Sequence, residues 1–291
     1  MPAPDYTYRP LAAADADDAF AVFRDSLNDY LARAGQELVP DVNDLNAVFL
    51  HFLRHDAPRC WAAVAGDRLV AWTAAIQRGP WWFLSMLFVL PEAQRRGVGG
   101  ELLRRAMDAG EGVAVRATVT DTLQPLSNDL YARRGMLPRE ALLTMSGPPR
   151  VLRGLAGPPQ GDAGLGGLEP EALTAGSVPD LVAVDALVTG LDRTVDHAFY
   201  LREGERRGWL FRRAARPVAY VMYRPSGYIG PLACLETGDV APVLRHALAQ
   251  LAGLGFEQVK LGVPASCEQA QRVLWDAGLG FGETPGLLLA T

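Results

Sequence analysis

The chain has 291 residues, 49% of them hydrophobic and 21% charged, with a formal net charge of −5 at pH 7. That length exceeds one ordinary core and points to two domains of about 100–150 residues each, while the acidic balance gives no basis for a nucleic-acid partner held through its phosphates. The first ten residues hold no apolar run and the longest one, residues 81–90, is about half a bilayer span, so no membrane is implied.

The basic residues are nearly all arginine. Lys260 is the only lysine, Ile76 and Ile229 are the only isoleucines, and asparagine occurs four times; this bias fits a GC-rich coding genome, as in many bacteria, and makes single arginines poor functional pointers. Cys60, Cys234 and Cys267 are scattered without C-x-x-C spacing, which argues against a disulfide framework or a structural zinc site and fits a reduced cytoplasm.

In chain order, residues 6–11 read as an edge strand and 15–34 as a helix with Phe20, Phe23, Leu27 and Leu31 at core spacing, capped by Asp15 or Asp17. A second helix is expected over 42–54, with Leu45, Val48, Phe49 and Phe52 turned inward. His51 and His55 stand four apart on it, but no third ligand lies at a suitable spacing, so solvated or packed imidazoles are expected rather than a metal site. Strands follow at 60–65 and 69–77, joined by the turn Gly66-Asp67-Arg68. The run 81–90 is short, apolar and closed by Pro91, which favours a buried strand over a helix.

After that strand come Gly97, Gly99 and Gly100, and then Glu101-Leu-Leu-Arg-Arg-Ala-Met with an apolar Leu102, Leu103, Ala106 face. Glycines lack a Cβ, so N–H groups at this helix start can approach a ligand closely, and the positive end of the helix dipole favours an anion such as a diphosphate. The spacing is neither G-x-x-x-x-G-K-[ST] nor G-x-G-x-x-G. A β-branched strand is expected at 113–119 and a helix at 124–134 ended by Gly135, with 141–145 closing the unit.

The loop, with Gln94, Gly97 and Gly99 in the pattern [QR]-x-x-G-x-[GA] after Val89-Leu90-Pro91-Glu92, resembles the acetyl-coenzyme A loop of the GNAT superfamily of N-acetyltransferases. The resemblance implies a mixed α/β fold and contacts to the coenzyme from Leu87, Phe88, Val89, Gln94, Arg95, Arg96, Gly97, Val98, Gly99 and Gly100. It extends to Gln124-Pro-Leu-Ser-Asn-Asp-Leu-Tyr-Ala-Arg-Arg-Gly, where Tyr131, four residues before Gly135, matches a family tyrosine that protonates the departing thiolate. Gln124, Ser127 and Asn128 are implied as further coenzyme contacts, although the family more often has Asn where this chain has Gln124. The family's acidic base is missing from residues 81–90, which offer only Ser85.

Residues 146–167 are dense in Gly and Pro and read as a linker, after which the order of signals repeats at an offset of about 142–143 residues. Helices are expected near 179–188 and 194–203, strands near 209–213, 217–223 and 228–234, then a helix at 240–251, a strand at 258–263 and a helix at 267–277. The second copy has Thr237-Gly-Asp-Val-Ala-Pro-Val where the first has its glycine loop, and Leu274 where the first has Tyr131. Asp192-Arg193-Thr-Val-Asp196-His197 gathers polar residues at a helix start, where capping by Asp192 is the simpler account and a pocket role for His197 or Asp196 the sharper one.

The resulting expectation is a tandem pair of GNAT-like α/β domains: 1–147 binding acetyl-coenzyme A, 148–167 as linker and 168–291 as a degenerate copy. The implied activity is transfer of an acetyl group to a primary amine of a small molecule or protein, in a cytoplasmic protein expected to be a monomer. A catalytically silent acyl-coenzyme A sensor is the alternative.

Overall fold

A computed structural model describes residues 5–41, 45–149, 165–203 and 206–291. Two compact units emerge. The first comprises 1–119, 129–137 and 290–291, and the second 120–128 and 138–289.

The first unit is built on strands β1 (Tyr6–Pro10), β2 (Cys60–Ala65), β3 (Arg68–Arg78), β4 (Trp81–Val89) and β5 (Val115–Asp121), in the spatial order β1-β2-β3-β4-β5. The first three pairings are antiparallel and β4–β5 is parallel. Helices α1 (Ala16–Ala34) and α2 (Asn46–Asp56) precede β2, α3 (Val98–Asp108) links β4 to β5, and α4 (Pro125–Ala132) follows β5. Two indoles fix the helices to the sheet: Trp72 Nε1 donates to the Ala19 carbonyl of α1 (2.8 Å), and Trp82 Nε1 donates to the Ala106 carbonyl of α3 (3.1 Å). Trp82 stands opposite Gln77, five positions from Trp72 on β3, so the period of two sends the indoles to opposite faces, with one helix on each.

The second unit holds β6 (Leu137–Gly147), β7 (Glu169–Ala172), β8 (Arg207–Arg213), β9 (Arg216–Tyr223), β10 (Ile229–Cys234), β11 (Val259–Pro264), β12 (Gly280–Phe281) and β13 (Gly286–Ala290), of which β6 and β13 each leave one end residue in the first. Its helices are α5 (Val178–Val188), α6 (Thr194–Arg202), α7 (Val240–Gly253) and α8 (Glu268–Asp276). Strand β9 divides two cores by alternation: Ala219, Val221 and Tyr223 pack with α7 and α8, while Tyr220 and Met222 pack with Leu181 and Val184 of α5. Leaving aside the two-residue β12 and short 3₁₀ turns, the order β-α-α-β-β-β-α-β-α-β occurs twice. The fold class is therefore the expected mixed α/β arrangement.

Strand β6, which closes the first copy in sequence, pairs antiparallel with β11 of the second, from Val259↔Gly147 to Pro264↔Leu142, and with β12. The C-terminal residues run the other way: Thr291 lies in the first unit, its N–H donating to the Arg116 carbonyl (3.0 Å) and its hydroxyl accepting from the Arg116 N–H (3.1 Å).

Several local expectations need correction. The buried residues of α1 are Ala19, Phe20, Val22, Ser26 and Tyr30, so Phe20 is inward as expected, while Phe23, packed on Phe88, and Leu27 and Leu31 are only half-buried. Asp15 does not cap α1 with its side chain. Its carboxylate instead takes a bidentate pair from Arg9 (2.7 Å each) and the Ala12 N–H, which holds it below the usual carboxylate range, chiefly through the Arg9 hydrogen bonds. Helix α2 starts at Asn46, and the expected residues 42–44 lie outside the described ones. Strand β5 runs two residues later than expected, because Ala114 and Val115 N–H groups first bond the Pro80 carbonyl. Most of the expected linker, 150–164, is also outside the described residues. His51 is buried and His55 exposed, with ring centroids 4.8 Å apart.

Among the described residues, no helix is long and apolar enough to cross a membrane, and no group of three or more His, Cys, Asp or Glu is placed to hold a metal ion.

One buried group makes the second unit sensitive to pH. His246 of α7 is 6% exposed, both ring nitrogens have no partner among the described residues, and Trp209 and Phe211 stand edge-on at 5.3 and 5.4 Å. Burial lowers its pKa from the ordinary value, so the unfolded chain takes up a proton that the folded one resists. Stability is therefore full above a pH of about 6.5 and declines as pH falls through that value toward the depressed one. His246→Phe is expected to reduce the loss of melting temperature between pH 8 and pH 5.5, measured by calorimetry; an unchanged loss would show that other groups govern it.

Candidate active site

The parallel ladder between β4 and β5 runs from Trp81↔Val115 to Leu84↔Thr118 and stops there. At the same place the β3–β4 register shifts: Ala75 opposes Leu84 and Ala74 opposes Met86, leaving Ser85 as the extra residue of a bulge. A bulge sharpens twist and bends its strand. From Ser85 to Val89 the β5-facing edge of β4 therefore lies outside that ladder, and these residues are half-buried where Trp82 and Leu84 are buried. Thr118 Oγ1 closes the last paired position by donating to the Leu84 carbonyl (3.1 Å).

Phe88 turns its ring into the core, 4.9 Å from Phe23 and 5.8 Å from Trp72, which leaves its main chain as its available part. Leu87 and Val89 are half-buried. The Val89 carbonyl accepts from Gln94 Nε2 (3.0 Å). Gln94 thus ties the loop back onto the strand, a role the sequence pattern alone does not reveal.

Beyond Gln94 the backbone reverses. Arg95 has φ +60° and Gly97 φ +83°, and left-handed residues of this kind build the N–H concavities that take anions. Arg95, Arg96 and Gly97 are exposed, whereas Val98 is 1% exposed and anchors the start of α3. The Glu101 N–H donates to the Gly97 carbonyl (3.0 Å), and no side chain caps the helix. The N–H groups of Val98, Gly99 and Gly100 precede the helical ladder and lack intrahelical acceptors. Only Gly97 needs a glycine conformation. Gly99 is helical, and a Cβ there would lie 3.5 Å from Val89 Cγ2 and 3.8 Å from Leu130 Cδ2; its lack of a side chain keeps the helix start bare.

Glu101, the first acidic residue of α3, is held at about 2 by its hydrogen bonds to Arg104, with Arg105 adding to the effect. Arg105 lies 5.0 Å over each of the Tyr8 and Trp61 rings, so this charge network sits on the sheet side of α3.

Tyr131 is buried, 6% exposed. Its carbonyl accepts from the Arg134 and Met136 N–H groups, and Gly135 follows at φ +84° as the helix ends. The neighbouring Leu130 reaches the Gly99 and Gly100 positions, and Arg134 Nη2 meets the Gly100 carbonyl at 3.4 Å. Residues 87–89, 94–100 and Tyr131 all lie in the first compact unit, and Leu130 and Arg134 on either side of Tyr131 are the ones that reach the start of α3. Gln124, Ser127 and Asn128 are grouped with the second unit; Asn128 Nδ2 meets the Asp121 and Thr122 carbonyls, and its Oδ1 is buried without a partner.

Residues 21–136 match the model of the acetyltransferase (GNAT) family. The fold agrees over nearly the whole chain. A tandem GNAT protein from the clavulanic acid biosynthesis pathway superposes with TM-score 0.64 at 17% identity, covering 99% of this chain and 98% of that one. A GCN5-related N-acetyltransferase from Sphaerobacter thermophilus gives 0.64 at 16%, covering 98% and 95%. Saccharomyces cerevisiae N-myristoyltransferase with bound myristoyl-CoA gives 0.64 at 9%, covering 100% and 79%. No curated protein sequence matches the chain. This fold supports acyl transfer from acyl-coenzyme A in general.

In the second unit the corresponding helix, α7, starts after Asp239, which is 4% exposed and paired with Arg213 (2.7 Å), and Pro242 lies in its first turn. Leu274 is fully buried. Asp192 Oδ1 accepts from the Thr194 N–H (2.9 Å) and hydroxyl (2.6 Å), serving the start of α6 as the simpler account expects. His197 is fully buried with Nε2 on Asp185 (2.7 Å).

The loop geometry separates its glycines by stability. Gly97→Ala forces a side chain into the left-handed region and is expected to cost about 1–2 kcal/mol, whereas Gly99→Ala gains helix propensity of up to about 1 kcal/mol. Urea denaturation of the two variants checks the contrast, and equal midpoints would contradict it.

Proposed function

We propose that the first unit is an N-acetyltransferase that moves an acetyl group from acetyl-coenzyme A to a primary amine of a small molecule or protein. The observation that carries this reading is that β4 leaves β5 beside a bare, uncapped helix start, with a buried phenol in the same unit. The residues present fit such a donor. The side-chain-free positions at Gly97, Gly99 and Gly100 leave room for a diphosphate against unpaired N–H groups, and the open edge of Leu87, Phe88 and Val89 suits an extended arm bearing amides, as an added strand would be held.

Acetyl-coenzyme A supplies an activated thioester. In direct attack the amine nitrogen forms the new C–N bond, the C–S bond breaks, and the sulfur leaves with a proton that Tyr131 Oη gives. A phenol of ordinary pKa about 10 suits a thiolate leaving group. Burial of Tyr131 supports this role over that of a surface aromatic. Among the described residues of β4 Ser85 is the hydroxyl nearest the parting of the strands in sequence, and water remains the acceptor of the amine's proton in this reading.

Tyr131→Phe is expected to keep the dissociation constant for acetyl-coenzyme A and to lower kcat by about 10²-fold or more, because the lost interaction belongs to the transition state. Thiol release across an amine panel measures it. A kcat within a few-fold of wild type makes Tyr131 a packing residue, and tight binding with no turnover on any amine favours the silent sensor.

The second unit is proposed as a copy without coenzyme binding, since Asp239 and Pro242 replace open donors and Leu274 replaces the phenol. Calorimetric titration of the intact chain should give one acetyl-coenzyme A per polypeptide, and none for Gly99→Glu, which places a carboxylate at the start of α3. Two equivalents in the wild type, or one in folded Gly99→Glu, would overturn the assignment.

A further inference from the structure

The second unit treats one arginine unlike its neighbours. Its half-buried arginines are Arg193, Arg206, Arg212 and Arg213. Arg212 pairs with Glu171 and Asp180, Arg213 with Asp239, and Arg193 stands 3.5 Å from Asp185. Arg206 has no carboxylate partner among the described residues. A guanidinium removed from water without a counter-charge is costly, so its retention asks for a reason.

Its surroundings are organised around it. The guanidinium lies 4.3 Å over the Tyr200 ring, and Nη1 donates to the Gly230 carbonyl. Nε is buried with no partner. Burial lowers the Arg206 pKa, and the charges of Arg224 and Arg193 lower it further, against the opposing influence of the Tyr200 and Tyr228 hydroxyls. Tyr228 is 37% exposed, so the cluster reaches solvent.

Behind this cluster the framework is fixed. Asp185, 1% exposed, accepts from Tyr220 Oη (2.6 Å) on Oδ1 and meets His197 Nε2 (2.7 Å) on Oδ2. Burial raises the Asp185 pKa, but the His197 hydrogen bond and the Arg193 charge outweigh it and hold the carboxylate ionised. The negative charge of Asp185 is thereby engaged with Arg193, His197 and Tyr220. His197 stands edge-on to Tyr200 (6.3 Å), the ring under Arg206.

We infer that the second unit binds a carboxylate-bearing small molecule on the Nε edge of Arg206, over Tyr200 and near Tyr228, whose ring lies against Gly230. With Nη1 on Gly230, the free edge is the Nε and Nη2 pair, two parallel donors that match the two oxygens of a planar carboxylate. Aromatic stacking leaves that edge free. The site is independent of acyl transfer in the first unit.

The test uses the full chain and three probes, succinate, acetate and inorganic phosphate, at matched ionic strength, with binding read by titration calorimetry and by the shift in melting temperature. The expected result is carboxylate binding in the wild type, lost in Arg206→Met and weakened at least about tenfold in Arg206→Lys, which keeps charge but not the planar fork. The Lys variant keeps the test decisive should the Met variant fold poorly. Absence of carboxylate binding in the wild type, binding of phosphate alone, or undiminished binding in either variant overturns the inference.

Discussion

The end of pairing between β4 and β5 is the constraint on which the candidate site depends. Parallel ladders stabilise a sheet by using every edge donor and acceptor, so a strand that abandons its neighbour beside Leu84 and Thr118 must have those groups met by something else. The bulge at Ser85 is the local cause of the departure. Its far side is held by β3, where Thr73 Oγ1 donates to the Met86 carbonyl (2.8 Å), so only one edge opens. The loop then has to cross the open end, and it does so because Gly97 accepts a left-handed backbone and Gln94 ties the crossing to Val89.

How much of this is legible in the sequence depends on whether its cause is local. Strand β2, the start of β4 and the helix starts at Ala16, Val178 and Val240 follow from periodicity, Gly and Pro, and their ends fall within a residue or two of expectation. Gly97 and Gly135 take the left-handed backbone that their places beside helix ends suggest, because turn chemistry is written in single residues. The bulge is silent in the sequence, since Ser85 differs from its neighbours only by its pairing. The face of α1 is legible only in part: Phe20 is buried as its spacing suggests, but Trp72 meets the helix at Ala19, and Phe23, Leu27 and Leu31 are left half-buried. The partners of β6 are also hidden, because a run such as 141–145 carries no mark of which distant strand it will join. Strands β7, β12 and β13 leave no mark in the sequence for a related reason: they are short and lean on pairing more than on pattern.

The second unit uses the same order of elements for a different internal economy of charge. On the α5 and α6 face of β9, Tyr220 occupies a core position whose hydroxyl would be costly without Asp185, and Asp185 would be costly without His197 and Arg193. Each buried polar group therefore requires the next, and the cluster is stable as a set. The sequence presents these residues as separate helix features, Asp185 near the end of α5 and His197 in α6, and only the packing of two helices on one sheet face joins them.

The two helices that follow the fourth strand of each copy, α3 and α7, differ most at their first turn. A helix start carries about half a positive charge and unpaired donors, so its affinity for an outside anion depends on what the chain already places there. At α3 the chain places three glycines and Val98, and the first acid, Glu101, is neutralised by Arg104 and Arg105. At α7 it places the buried Asp239 directly before the helix, and Pro242 removes a donor from the first turn. One start has only glycines and Val98 ahead of its first acid, whereas the other already has a buried carboxylate beside it, held by Arg213 without capping the helix, and one donor fewer. The same order of elements can therefore present a different charge at the corresponding helix start in each copy, with a few side chains deciding between them.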